Sequence, residues 1–264
     1  KKQIDKNGED ITFRPWRWGD PSNGLVNAVG LTNPGFEGWI KEFALTLQWA
    51  NTHFVISLFP NDLQECREMV ARLNDMSQYR IVGIEINASC PNSGENISEN
   101  RRKTSTIAGI AIQNSRYPVF VKLGITNDYL GIICDLGAKN GIWHLINATP
   151  YSYQFPNKHS PLANLGGGAV SGPSIRLARN VCYQNVRDKF GNARIVLGGG
   201  ITDHSSLTAA LTLAPEAISF GSALLSGGWR GQTRVDLLGE IARTHQTALH
   251  HNQDGQNVRI SEKL

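Results

Sequence analysis

The segment Glu85-Ile86-Asn87-Ala88-Ser89-Cys90-Pro91-Asn92 places two carboxamides and one thiol within six residues, directly after the apolar run Ile81-Val82-Gly83-Ile84. The run reads as a buried strand, and Pro91 stops it by removing a backbone donor. Each carboxamide carries two donors and an acceptor, a set that matches imide and amide edges. A thiol beside such a ring can act as a proton acceptor if it gains thiolate character. The pattern therefore suits a flat, polar, uncharged ring. A free Cys at a strand end is just as readily a small apolar residue, so the stretch alone leaves the two readings level.

Further residues of the same kind end other apolar runs. Lys122 closes Val119-Phe120-Val121-Lys122-Leu123, where a cation can stabilise negative charge forming on a bound ring; a lysine whose stem covers an outer face is the competing reading. Asn147 ends Trp143-His144-Leu145-Ile146-Asn147. Gly198-Gly199-Gly200 follows one later run and Gly221-Ser222 the next. Two glycine turns on successive strands suit a phosphate held by backbone N–H groups, because glycine lets the backbone approach an anion closely. Leu25, Val26, Val29 and Leu31 lie within the glycine- and asparagine-rich stretch from Gly24 to Gly35. They want burial, which points to a structured loop with backbone donors turned to a ligand.

The rest of the composition narrows the field. The chain has 264 residues, 40% of them hydrophobic and 18% charged, with a net charge of +4. That is an ordinary globular balance. The one tight basic cluster, Arg101-Arg102-Lys103, reads as a solvated helix start rather than a nucleic-acid face. No apolar run reaches the ~20 residues that cross a bilayer, and no signal peptide opens the sequence. Cys66, Cys90, Cys134 and Cys182 show neither zinc nor disulfide spacing, which suits a reducing cytoplasm and gives no metal site. The histidines near the end, His245, His250 and His251, do not share a face at metal spacing.

The elements that must position these residues alternate. Residues 1–22 read as a loop or hairpin arm. Helical patterning covers Phe36 to Trp49, and His53 to Phe59 is a strand. Asn61 with Gln64 reads as a capping box for a helix with Leu63, Cys66, Val70 and Leu73 inward. After the strand ending at Asn87, Thr104 or Ser105 caps a helix to about Ser115, and Asn127 opens one that stops by Gly141. A long connection spans Ala148 to Gly172, and connections of that length are commonly functional. Pro173 opens a helix that stops at Gly191. Arg194 to Leu197 and Ala217 to Phe220 are strands, separated by a helix capped at Thr202 or Asp203. A last helix covers Gln232 to His250.

Continuous apolar strands alternating with helices mean a parallel sheet covered by helices. Six strands carry the chemistry at their C-terminal ends, as in a (β/α)8 TIM-type barrel. A doubly wound open sheet is the rival, but it would place its Gly-rich turn after the first strand. The expected fold is an α/β barrel forming a single domain over residues 1–264, lacking one or more N-terminal strands in this chain.

At this point the motifs resemble a known family, the class 1 dihydroorotate dehydrogenases, from about Asn23 to Leu225. Asn27-Ala28-Val29-Gly30-Leu31-Thr32-Asn33-Pro34-Gly35 is similar to the family's substrate loop, N-x-x-G-L-x-N-x-G. Asn87 to Asn92 is similar to its N-x-S-C-P-N signature, the most specific match. Val121-Lys122-Leu123 resembles its flavin-lysine strand. Asn147, Ser171-Gly172, Gly199-Gly200 and Gly221-Ser222 match its cofactor turns. The resemblance implies oxidation of dihydroorotate to orotate in pyrimidine synthesis, with FMN as cofactor and Cys90 as the base that removes a ring proton. It implies substrate contacts from Asn27, Asn87, Asn92 and Asn147 and from backbone near Val29, Gly30 and Leu31. Lys122, Asn147, Ser171, Gly172, Gly199, Gly200, Gly221 and Ser222 would hold FMN. Dimers or heterotetramers are typical partners; the acceptor stays open among fumarate, NAD through a separate iron–sulfur electron-transfer subunit, and others. Neither nucleic acid nor membrane is an expected partner. Two departures stand out. The family's first strand and a second lysine find no motif upstream of Asn23, and Ala148 follows Asn147 where the family has Ser or Thr, with Thr149 next. The alternatives are another FMN-dependent pyrimidine oxidoreductase, similar to dihydropyrimidine dehydrogenase, and a non-catalytic barrel subunit.

Overall fold

The structure is a computed structural model that describes residues 16–17, 25–27, 33–42, 44–49, 51–87, 97–152 and 166–221. In chain order the elements are β1 (Trp16–Arg17), β2 (Leu25–Asn27), α1 (Gly35–Glu42), α2 (Ala44–Trp49), β3 (Phe54–Leu58), α3 (Leu63–Asn74), β4 (Ile81–Asn87) and α4 (Ile97–Asn114). They continue with β5 (Val119–Leu123), α5 (Tyr129–Leu136), β6 (Ile142–Leu145), β7 (Thr149–Ser152), β8 (Gly166–Ala169), α6 (Pro173–Lys189), β9 (Arg194–Gly198), α7 (His204–Leu211) and β10 (Ala217–Ser219).

The six apolar runs form one sheet in the order β10-β9-β6-β5-β4-β3. All its pairs are parallel. Its strands lie side by side in sequence order, and the order never reverses. A doubly wound sheet needs a reversal, so the rival fold is excluded and the barrel class stands.

Strand alternation splits this sheet into two faces. Ile84, Ile86, Val119, Val121, Leu123, Trp143, Leu145, Ile195 and Leu197 are buried in the core together with helical Cys66, Val70, Leu73, Ile107, Ile132, Ile175 and Val186. The other face carries Ser57, Glu85, Asn87, Lys122, His144 and Ser219, which register places on neighbouring strands. That face is the interior side, and the polar residues are gathered there. Trp143 is fully buried and its indole N–H donates to the Ala138 carbonyl at 2.9 Å, so the largest core side chain leaves no orphan donor.

Asp residues start three of the helices. Asp62, Asp128 and Asp203 accept backbone N–H groups from Glu65, Gly131 and Ser206, and Asp203 forms a full capping box with Ser206. Several sequence expectations shift here. Asn61 is not the cap of α3; its backbone and side-chain N–H groups bond the Glu65 carboxylate, and Asp62 caps instead. Leu63 is 37% exposed, and Met69 takes its place in the buried stripe. Asp128 rather than Asn127 caps α5. α4 begins at Ile97, well before Thr104, which is buried mid-helix. The helical stretch after Phe36 is two short helices, α1 and α2. The basic cluster lies within α4, where Arg101 is paired with Asp128 and Asp135. The expected helix over 232–250 lies outside the described residues.

The connection from Ala148 to Gly172 is not a plain loop. It holds the hairpin strands β7 and β8, which join β2 and β1 in a four-stranded antiparallel sheet ordered β1-β2-β8-β7. Leu25 to Asn27 is thus a strand and not part of a loop.

Gly83 is a packing hole for the neighbouring strand. A Cβ there would sit 2.4 Å from Cε2 of Phe120. Gly83→Ala is therefore expected to destabilise the fold by about 1–3 kcal/mol through overpacking. Urea unfolding would measure it, and adding Phe120→Leu should recover most of the loss.

Candidate functional site

Of the expected site residues, Asn87, Lys122, Asn147 and Gly221 stand at the C-terminal edge of the parallel sheet. Asn87 ends β4 and is in register with Lys122 on β5, which is in turn in register with His144 on β6. The Asn147 N–H donates to the Leu123 carbonyl at 3.0 Å, and the Ile146 N–H to that of Gly198 at 3.3 Å, so the ends of β5, β6 and β9 are tied side by side. The Asn147 side-chain oxygen accepts the Ala148 N–H at 2.9 Å. Gly221 follows β10, whose Ser219 is in register with Gly198.

A second group gathers at the start of α6. Ser171 is buried, and Gly172 is the N-cap, at φ +98°, with no side-chain cap. The Gly200 N–H donates to Val170 at 3.3 Å, bringing the Ser171-Gly172 bend against the Gly199-Gly200 turn. Gly199 and Gly200 have φ of +93° and +69°, the left-handed region where glycine carries no Cβ penalty. The antiparallel sheet brings in the N-terminal segment: Val26 pairs with Ala169, which pairs with Thr149, and Asn27 pairs with Gly168. The β2 segment that precedes the expected substrate loop is therefore two strands away from the segment that follows Asn147. Val29, Gly30, Leu31, Cys90, Asn92 and Ser222 lie outside the described residues.

Sequence reasoning missed a hydrogen-bonded chain on the interior face. Ser57 Oγ donates to Glu85 Oε1 at 2.8 Å, Glu85 Oε2 lies 2.5 Å from His144 Nδ1, and His144 Nε2 lies 2.7 Å from Ser219 Oγ. It bridges β3, β4, β6 and β10. The link to Ser219 passes over Gly198, where a Cβ would stand 2.6 Å from Ser219 Oγ and 3.1 Å from His144 Nε2. The signal was present as period two: polar residues recur on one side of otherwise apolar strands. Burial by itself raises the Glu85 carboxyl. The hydrogen bond and charge of His144, the charge of Lys122 and the Ser57 hydroxyl together outweigh it and hold the group below the usual carboxylate range. Glu85 is thus an anion beside Lys122, and its Oε2 faces Nδ1 as an acceptor, which places a proton on that nitrogen.

Two observations bear on a ligand. Thr149 is 8% exposed, and its Oγ1 is a buried hydroxyl with no hydrogen-bond partner among the described residues. Buried polar atoms are rarely left unsatisfied, so this one invites a group from outside the chain. The second is the paired bend and turn, Ser171-Gly172 against Gly199-Gly200, beside an uncapped helix start, which suits an anion. Among the described residues no cluster of His, Cys, Asp or Glu could hold a metal. Among them, too, no helix is long and apolar enough to cross a membrane.

The family model for dihydroorotate dehydrogenase matches residues 14–228, most of the chain. The chain belongs to the dihydroorotate dehydrogenase family. The catalytic subunit of dihydroorotate dehydrogenase B (NAD(+)) from Citrifermentans bemidjiense is 31% identical over 207 residues, covering 76% of this chain and 66% of the relative. The subunit of the same name from Geotalea uraniireducens is 30% identical over 209 residues, with 76% and 66% covered. The match thus spans just under two thirds of these relatives' length. Among solved structures, dihydroorotate dehydrogenase of Eimeria tenella in complex with ferulenol superposes with a TM-score of 0.66 at 14% identity, over 96% of this chain and 75% of that one. Its ligand-free form gives 0.64 at 15% identity, over 90% and 72%. At such identity these two show the fold, a (β/α) barrel of the dihydroorotate dehydrogenase type.

The Glu85 carboxyl lies below its ordinary value, so its contribution to stability is full above the unfolded carboxylate range and is lost as pH falls through the lowered folded value. Glu85→Gln is expected to cost about 1–3 kcal/mol at neutral pH. The gap between mutant and wild type should close as the solution is acidified below the carboxylate range, which denaturant unfolding as a function of pH would follow.

Proposed function

We propose that this chain oxidises (S)-dihydroorotate to orotate with FMN as its cofactor, as the catalytic barrel of a dihydroorotate dehydrogenase. The observation that carries the reading is the juxtaposition of Asn87, Lys122 and Asn147 on three adjacent strand ends, with Ser89-Cys90-Pro91-Asn92 directly following the first of them. The buried Thr149 hydroxyl, without a hydrogen-bond partner among the described residues, supports it, since the family's Ser or Thr after Asn147 is here Ala148 and the hydroxyl sits one residue on. The Ser171-Gly172 bend and the Gly199-Gly200 turn would suit a cofactor phosphate, with Gly221 and Ser222 as further expected contacts.

FMN, when bound, supplies the hydride acceptor. Cys90 takes the proton from the ring carbon next to the one that loses hydride. Asn27, Asn87, Asn92 and Asn147 pair with the amide edges of the ring, aided by backbone N–H groups of Val29, Gly30 and Leu31. Neutral amides would do this without opposing the negative charge that reduction brings to FMN, and the Lys122 ammonium would stabilise that charge. The barrel forms one domain. The relatives named catalytic subunits support a second, electron-transfer subunit as partner, while NAD and fumarate both occur in relatives' names. A reducing cytoplasm suits the free thiols of Cys66, Cys134 and Cys182.

The purified chain should carry visible flavin absorbance that anaerobic dihydroorotate bleaches and dihydrouracil does not. Bleaching by dihydrouracil alone would favour the dihydropyrimidine-dehydrogenase-like alternative, and absence of flavin would favour a non-catalytic subunit. Cys90→Ala is expected to keep the flavin and slow bleaching by about 100-fold or more. Thr149→Val should weaken dihydroorotate or flavin binding by about tenfold, the worth of one buried hydrogen bond.

A further inference from the structure

One buried cation is left over once the site has been described. Arg179 on α6 is 1% exposed. Its Nη1 donates to the Gly199 carbonyl at 3.0 Å and its Nε to Asn180 Oδ1 at 3.1 Å, and among the described residues no carboxylate pairs with it. Burial, and after it the like charge of Arg176, press its guanidinium toward a lower pKa than usual. Arg176 approaches the same place: its Nε donates to the Gly172 carbonyl at 3.3 Å, and its Cγ lies 2.7 Å from where a Gly200 Cβ would be. Asp203 is the nearby acid; its charge acts on Arg176, while its oxygens take Ser206 and Thr202.

The geometry around Gly199 explains what Arg179 does. The peptide joining Gly199 to Gly200 is held at both ends, its carbonyl by Arg179 and its N–H by Val170. The turn is thereby fixed from behind. Among the described residues the charge of Asp203 is set against Arg176 and no carboxylate bonds Arg179, so positive charge remains at a turn that also adjoins the uncapped start of α6. A buried charge without its counter-ion is costly, and the cost is removed when the counter-ion arrives with a ligand.

We propose that Arg179 is the positioning residue of the Gly199-Gly200 turn and that its uncompensated charge makes the site select a phosphorylated flavin over the unphosphorylated one. This rests on the functional reading above. Arg179 acts through the Gly199 peptide and through its field, from behind the turn. A neutral flavin would use the same ring contacts but could not neutralise the guanidinium.

The test compares affinities of the flavin-stripped 264-residue chain for FMN and for riboflavin by fluorescence quenching at fixed ionic strength. In Arg179→Met, FMN binding is expected to fall by about 10- to 100-fold, the span of a charge-assisted contact. Riboflavin binding should change by less than about threefold, being without the charge that P–O oxygens bring. Arg179→Lys, which keeps the charge, should retain most of the preference. If the Met variant does not fold, Arg179→Gln decides, because it can still donate to Gly199 but carries no charge; it should lose the preference for FMN. Parallel loss of both ligands, or an unchanged ratio in a folded Met or Gln variant, would overturn the proposal and leave Arg179 a brace. Wild-type protein that binds neither flavin would overturn the functional reading itself, and this proposal with it.

Discussion

A parallel sheet with helices on one side must put something on its other face, and in this chain that face carries a hydrogen-bonded polar row among apolar residues such as Phe120. Ser57, Glu85, His144 and Ser219 satisfy one another across four strands of the six, so the desolvation of an anion is offset by hydrogen bonds on both of its oxygens. The chain of bonds fixes strand positions along the axis as well as across it. Glu85 lies two residues before Asn87, His144 three before Asn147, and Ser219 two before Gly221. Rigid strands transmit that register, so the polar interior helps hold the strand ends at which Asn87, Asn147 and Gly221 stand.

The constraint also explains two glycines with no ligand role. Gly198 leaves the space through which His144 and Ser219 meet over the intervening strand, and Gly83 leaves space for the Phe120 ring beside Glu85. An interior of this kind tolerates little change in volume, because both the ring and the hydrogen-bonded chain are fitted between strands spaced about 4.8 Å apart.

The six parallel strands were legible because each is a short, continuous apolar run bounded by Gly, Pro or Asn, and burial on both faces leaves that mark in sequence. The strand-end placement of Asn87, Lys122 and Asn147 followed from the same runs. Helix starts were less legible. Asn61 and Asp62 are both good caps on paper, and the choice fell to Asp62 because Asn61 is engaged by Glu65. α4 was read late because its first turns are polar, and its buried contacts begin only at Thr104. The hairpin inside the Ala148–Gly172 connection was invisible to propensity, since Gly166-Gly167-Gly168 is a poor strand former. The interior chain was missed for a different reason: each member looks like a lone polar residue, and only pairing of distant strands makes them partners.

That hairpin carries more of the site than its composition suggests. Glycines without side chains let β8 lie between β7 and β2, and the order β1-β2-β8-β7 follows. One end of this small sheet begins at Thr149, two residues after Asn147, and the other side is the strand that ends at Asn27. The N-terminal segment therefore does not reach the main sheet through the parallel ladder. It reaches the strand-end asparagines through Ala169 and Gly168, by antiparallel pairing. Thr149, whose buried hydroxyl has no hydrogen-bond partner among the described residues, starts β7 two residues after Asn147. The two sheets keep separate hydrogen-bond ladders, with Asn27 in the antiparallel one and Asn87 and Lys122 in the parallel one.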